Sequence, residues 1–167
     1  TDDFIYDDRF FNEKRVPTQL YLISPAEVDA AFTDRLARAF DGGAVSAFQL
    51  RIKGLDDHAI ARIADPIQKL CAERDVAFLI NDSIALAKRL GADGVHLGQD
   101  DGDPREARDV LGPDAQIGVT CHNSRHLAME AAEAGADYVA FGAYFPTTTK
   151  KVEHQADLET LEMWSQF

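Results

Sequence analysis

The sequence predicts an α/β protein made of successive β/α units with parallel strands. Two observations carry this. Short β-rich runs alternate with longer amphipathic stretches from Pro17 onward. One segment also occurs twice, Gly91-Ala92-Asp93-Gly94-Val95-His96-Leu97-Gly98 returning as Gly135-Ala136-Asp137-Tyr138-Val139-Ala140-Phe141-Gly142. Both copies read as helix end, turn and strand, with glycine closing the helix and an apolar run entering a sheet buried on both faces.

Strands are expected at Gln19 to Ser24, Ala44 to Leu50, Ala77 to Ile80, Gly94 to Leu97, Gln116 to Thr120 and Tyr138 to Phe141. Helices are expected at Val28 to Phe40, Asp56 to Arg74, Ser83 to Leu90, Pro104 to Leu111 and Ser124 to Ala134, with a last one opening near Asp157. Pro104 suits a first helical turn. Residues 1–16 mix Asp, Arg and Phe without a period and read as an N-terminal extension to a domain over 17–167. Six such units fit either a doubly wound open sheet or an eight-stranded barrel. A barrel usually takes about 250 residues, so if this is one, two units are expected to be missing. Uncovered first and sixth strands would then invite pairing with another chain, a homo-oligomer among the outcomes.

With 46% hydrophobic and 28% charged residues, the chain has the composition of one globular domain. No apolar run approaches the roughly 20 residues that span a bilayer, and the acidic start is unlike a signal peptide. A net charge of -12 argues against nucleic acid as a partner and makes any local gathering of cations informative. Cys71 and Cys121 lack metal-ligand spacing and fit a reducing cytoplasm.

Gln49, Arg51 and Lys53 alternate along the second strand, which would bring two cations to its carboxyl end, where parallel sheets bind ligands. A solvated loop starting after Leu50 is the plainer alternative. Asn81-Asp82-Ser83 and Gly98-Gln99-Asp100-Asp101 end the next two strands. Each alone makes a good helix cap or turn. Together, carboxylates beside Arg and Lys suit a hard divalent cation bridging to phosphate. Gly118 to Ser124 leads the fifth strand into a helix whose amides could meet an anion, or into an ordinary capped helix. Gly142 to Lys151 would bring three threonines and two lysines to the same rim, a mobile surface loop being the plainer alternative. His96, in an apolar strand, reads as a satisfied interior histidine, and His58 and His126 as helix-surface residues. Cys121 reads as packing.

In order, Gln49-Leu50-Arg51-x-Lys53, Asn81-Asp82, His96-Leu97-Gly98-Gln99-x-Asp101, Gly118-Val119-Thr120 and Pro146-Thr147-x-Thr149-Lys150 resemble the motif series of the thiamine phosphate synthase family. The resemblance spans nearly all of Gln19 to Lys151. It implies a TIM-type (β/α)8 barrel with about six units present and the last two missing. It also implies a transferase that joins hydroxymethylpyrimidine pyrophosphate to hydroxyethylthiazole phosphate, giving thiamine phosphate and pyrophosphate. By that resemblance Gln49, Arg51, Lys53, Asn81, Thr120 and Lys150 bind the pyrimidine pyrophosphate. Arg51, Lys53 and Lys150 are the catalytic cations, Asp82 and Asp101 hold Mg²⁺, and Thr147 and Thr149 contact the thiazole phosphate. Thr120 stands where the family usually has serine, keeping the hydroxyl. Rival readings are a thiazole tautomerase-like paralogue, a catalytically silent phosphate-binding or regulatory barrel, and an unrelated phosphate-binding barrel.

Overall fold

The computed structural model describes residues 17–147 and 154–166, so the segment read as an N-terminal extension lies outside the described residues. Strands and helices alternate: β1 (Leu20–Ile23), α1 (Phe32–Gly42), β2 (Val45–Leu50), α2 (Asp57–Glu73), β3 (Ala77–Asn81), α3 (Ile84–Leu90), β4 (Gly94–Leu97), α4 (Pro104–Leu111), β5 (Gln116–His122), α5 (Arg125–Glu133), β6 (Tyr138–Phe141) and α6 (Leu158–Trp164). Every predicted element is found. The first helix starts at Phe32 rather than Val28, because Asp29 folds the chain into a turn: its carboxylate accepts from the Ala31 N–H at 3.1 Å and its carbonyl from the Phe32 N–H at 3.1 Å. The fifth strand runs on to His122, with a register shift against β6 at Thr120/His122 and a left-handed φ of 53° at His122.

All five strand pairings are parallel, in the order β1-β2-β3-β4-β5-β6. A doubly wound sheet must reverse its strand order partway, so that alternative is removed. The sheet also curls. The hydroxyls of Tyr21 on β1 and Tyr138 on β6, at opposite ends of the strand order, meet at 2.7 Å with ring centroids 5.6 Å apart. The described residues therefore form a six-stranded parallel half-barrel.

Side-chain alternation divides the sheet into two faces. Phe48, Leu50, Phe78, Ile80, Val95, Leu97 and Ile117 pack with Leu36, Phe40, Ile67 and Leu86 of the helices into one core. Val119, Cys121, Ala128 and Ala131 form a second, flanked by Phe141 and Trp164. The other face carries Tyr21, Gln49, His96, Thr120 and Tyr138, joined by hydrogen bonds rather than apolar packing. Gly118 is required there: a methyl on it would lie 1.9 Å from Cζ of Tyr138, so only glycine leaves the phenol its place.

The repeated segment has a repeated job. Asp93 accepts from the Phe78 N–H at 2.7 Å and donates its own N–H to Phe78 O at 2.9 Å. Asp137 does the same with Ile117, at 2.7 and 2.8 Å, and also pairs with Arg108 at 2.7 Å. Each aspartate latches the start of its own strand to an earlier one, at the amino end of the sheet, where conserved chemistry is not expected in such folds. Gly91 (φ 59°) and Gly135 (φ 91°) supply the left-handed residue that precedes each latch.

Candidate active site at the carboxyl rim

The three sequence motifs after β2, β3 and β4 meet at one rim. Strand β2 ends at Leu50, so Arg51 and Lys53 stand on the loop after it rather than within an alternating strand. The reason is Ser24, buried at the end of β1: its hydroxyl takes the Arg51 N–H at 2.8 Å and donates to Arg51 O at 3.2 Å, in place of a further strand bond. The Ser24 N–H in turn donates to Gln49 O at 2.9 Å. This serine fixes where Arg51 leaves the sheet, and sequence reading missed it because a strand-end serine looks like any turn residue.

Lys53 forms an ion pair with Asp82. Asp82 occupies the left-handed region (φ 66°) and its N–H donates to His96 O at 2.8 Å, which turns its carboxylate to the rim. The helix that follows is capped by Ser83, whose hydroxyl accepts from the Leu86 N–H at 3.1 Å, so Asp82 is not spent on capping. Asp101 is likewise spared, since Asp103 caps α4 through the Arg105 N–H at 2.8 Å. Instead Asp101 accepts from the Gly98 N–H at 3.0 Å and lies beside Asp82. Its carboxyl is raised above the usual aspartate value, first by burial, then by the hydrogen bond and charge of Asp82, with Lys53 acting in the opposite direction.

Two adjacent carboxylates held in this way are suited to a hard cation. Among the described residues no three His, Cys, Asp or Glu side chains cluster as a self-contained metal cage. Mg²⁺ does not need one, because it is commonly held by one or two carboxylates and completes its shell with water and phosphate oxygens. The part of the Asp101 rise that comes from the Asp82 charge is what a cation would relieve.

Below the rim a hydrogen-bonded chain crosses the concave face. Gln49 Nε2 donates to Asn81 Oδ1 at 2.6 Å, and Tyr21 OH donates to Gln49 Oε1 at 3.0 Å. Tyr21 OH meets Tyr138 OH at 2.7 Å, Tyr138 OH meets His96 Nδ1 at 2.9 Å, and His96 Nε2 meets Thr120 Oγ1 at 2.8 Å. Gln99 Nε2 donates to Thr120 O at 2.6 Å. The structure thus links Gln49, Asn81 and Thr120, three predicted site residues, through His96 and two tyrosines. Burial pushes the Tyr21 phenol up to about 12, with the Tyr138 hydrogen bond opposing. Tyr138 is raised further, by burial first and then by Tyr21 and Asp137. His96, 8% exposed and bonded at both nitrogens, is the interior histidine the sequence suggested. The tyrosines were legible only as strand residues on the inward alternation.

Other candidates separate from this group. Ser124 caps α5 through the Leu127 N–H at 3.2 Å, and Asn123 binds Asp157 and Thr160 of the next helix, so this turn docks α6 and the capped-helix reading holds. Cys121 is fully buried, and burial pushes its thiol up to about 11; Cys71 is pushed up to about 12 by burial and then by Asp93. Neither is a poised nucleophile. His58 and His126 are exposed, beside Arg89 and Glu130. Thr147 is exposed on the loop after β6, while Thr149 and Lys150 lie outside the described residues.

Parallel β/α units curled into an arc, with ionic side chains gathered on the carboxyl rim, define an α/β half-barrel, and folds of this kind carry their ligands on the βα loops. The profile of the family described as Thiamine monophosphate synthase matches residues 20–166, and the chain belongs to that family. It is 65% identical over 158 residues to the thiamine-phosphate synthase of Erythrobacter litoralis, covering 92% of this chain and 74% of that protein. It is 54% identical over 149 residues to the thiamine-phosphate synthase of Rhodospirillum centenum, covering 89% and 72%. Among solved structures, thiamine phosphate pyrophosphorylase from Pyrococcus furiosus superposes with a TM-score of 0.73 at 31% identity, over 87% of this chain and 68% of that one.

Proposed function

We propose that the chain is a thiamine-phosphate synthase that condenses hydroxymethylpyrimidine pyrophosphate with hydroxyethylthiazole phosphate. The observation that carries this reading is the meeting of Lys53, Asp82 and Asp101 on one rim, from three separate strand ends, in a chain that belongs to the synthase family. In the reaction a carbon–nitrogen bond forms as a carbon–oxygen bond breaks. The pyrophosphate leaves with the bonding electrons, the aminopyrimidine methylene carries positive charge, and the thiazole nitrogen supplies the new pair.

Little proton transfer is required, which agrees with a site built of charges rather than of a nucleophile and its base. Arg51 and Lys53 hold the pyrophosphate and stabilise its departing charge, Arg51 from a backbone fixed by Ser24. Gln49, Asn81 and Thr120 hold the pyrimidine. Asp82 and Asp101 would hold Mg²⁺, which when bound supplies charge neutralisation to the leaving group. Lys150, Thr147 and Thr149 are assigned to the phosphate groups by resemblance. We read the half-barrel as part of an eight-stranded barrel, in keeping with its 68% coverage of the Pyrococcus chain. A cytoplasmic setting suits the two buried free thiols, and no helix of the described residues is long and apolar enough to cross a membrane.

The test is formation of thiamine phosphate from both substrates with and without Mg²⁺. Asp82→Ala and Lys53→Ala are each expected to lose roughly 10²-fold or more in kcat. Activity untouched by both changes would reject the site.

A further inference from the structure

We infer that the hydrogen-bonded chain across the concave face is a polarity relay: it fixes His96 as the Nδ1–H tautomer, makes the Thr120 hydroxyl an acceptor, and leaves the Asn81 amide a donor. Tyr21, Tyr138 and His96 are thereby positioning residues for a ligand none of them needs to touch. The inference deepens the proposed function, on which its ligand assignment rests.

The argument is a count of hydrogens. An amide oxygen only accepts, so the single Tyr21 hydrogen is committed to Gln49 Oε1 at 3.0 Å. Tyr21 has no second hydrogen, and its contact with Tyr138 at 2.7 Å must be donated by Tyr138. That uses the only hydrogen of Tyr138, whose contact with His96 Nδ1 at 2.9 Å is therefore donated by the imidazole. In a neutral imidazole one nitrogen donates and the other accepts. His96 Nε2 then accepts from the Thr120 hydroxyl at 2.8 Å. The raised phenols of Tyr21 and Tyr138 keep both hydrogens in place across the working pH range.

Both ends of the chain are now specified. Thr120 has given away its hydrogen and can offer a ligand only lone pairs. Gln49 donates to the Asn81 carbonyl at 2.6 Å, which occupies one lone pair of that oxygen and fixes which end of the amide faces Gln49, so the amide hydrogens are the uncommitted end that Asn81 offers first. Such a pair selects a heterocycle edge with an acceptor toward Asn81 and a donor toward Thr120. An aminopyrimidine, with a ring nitrogen beside its amino group, presents that edge, whereas a pyrimidinone presents the reverse. Because each link has one hydrogen, reversing any link reverses all of them, and a remote substitution should be felt at the far end.

The test begins with ¹⁵N-histidine-labelled protein, His96 being assigned by loss of its signal in His96→Gln. The expected spectrum shows a neutral His96 protonated at Nδ1. Protonation at Nε2, or at both nitrogens, overturns the relay. Tyr21→Phe keeps the ring but removes the link, and although Tyr21 is bonded to Gln49 and Tyr138 rather than to His96, this change should turn His96 into a mixture of tautomers. An unchanged tautomer in a folded Tyr21→Phe protein also overturns it; if that variant does not fold, the wild-type tautomer decides. Binding is then compared for hydroxymethylpyrimidine pyrophosphate and its 4-oxo counterpart. The wild type should prefer the amino form by about 10²-fold or more, and Tyr21→Phe should narrow that preference about tenfold. An unaltered preference counts against the relay. A protein that binds neither compound while keeping the Nδ1–H tautomer counts against the proposed activity and leaves the relay standing.

Discussion

The Gly98 N–H donates to the Asp101 carboxylate at 3.0 Å, and a methyl group on Gly98 would come within 2.4 Å of the same oxygen. The missing side chain is what allows the carboxylate to swing back over its own loop toward Asp82. Gly98→Ala should therefore fold, since only the far end of a flexible side chain has to give way, but Asp101 should be displaced from the rim. The expected outcome is a melting temperature close to wild type and a loss of any Mg²⁺-dependent rise in it. A variant that keeps the metal response would show that Asp101 is not held by this contact.

Ser24→Ala removes the buried hydroxyl that serves the Arg51 backbone and leaves a partly buried N–H without that partner. The expected cost is about 1–2 kcal/mol in denaturant unfolding. A rise in KM for the pyrimidine pyrophosphate should accompany it, larger than the change in kcat, because the guanidinium is shifted rather than removed. Ser24→Thr, which retains the hydroxyl, should recover much of the KM.

Asp137→Ala removes the carboxylate half of the latch to Ile117 and the pair with Arg108 together, leaving only the backbone N–H bond to Ile117 O. A loss of about 1–3 kcal/mol in stability is expected, with kcat changed little in the protein that remains folded. Equal damage to kcat at a temperature well below melting would mean that the amino end of the sheet is coupled to the rim.

Asp157 caps α6, and its carboxyl is held below the ordinary aspartate value, first by the Asn123 side chain and then by Thr160. A depressed carboxylate contributes stability that is fully present above its unfolded value and is lost as pH falls through the folded one. Trp164, the one tryptophan in the sequence, packs edge-on against Phe141 at 5.9 Å and reports on α6 directly. Its fluorescence should change on acidification below the ordinary aspartate range. In Asp157→Asn that acid step should shrink, and an identical acid profile in the two proteins would assign the step to other carboxylates.

The fold was legible because its signals are local. Glycine at a helix end and the apolar run that follows it recur in step and each acts within a few residues of itself, whereas the aspartate between them marks the strand start but reaches back to Phe78 or Ile117 for its partner. The rim was legible in composition but not in attachment: Asn81, Asp82 and Asp101 stand out as polar residues at strand ends, whereas the release of Arg51 from β2 depends on a serine 27 positions earlier. Tyr21 and Tyr138 lie 117 positions apart, and nothing in their surroundings says that they touch. Contacts made by curling a sheet are set by the whole set of strand pairings, so no window of sequence contains them. The late start of α1 has a different cause, since one Asp29 turn outweighed the apolar period that runs back to Val28.

The two latching aspartates have a consequence for how the protein can vary. The fastenings of Asp93 and Asp137 sit at the opposite pole from Lys53, Asp82 and Asp101, so a change of side chain around the mouth leaves the strand ends pinned. Selection can rework what enters the cleft while the foundations of the sheet stay untouched.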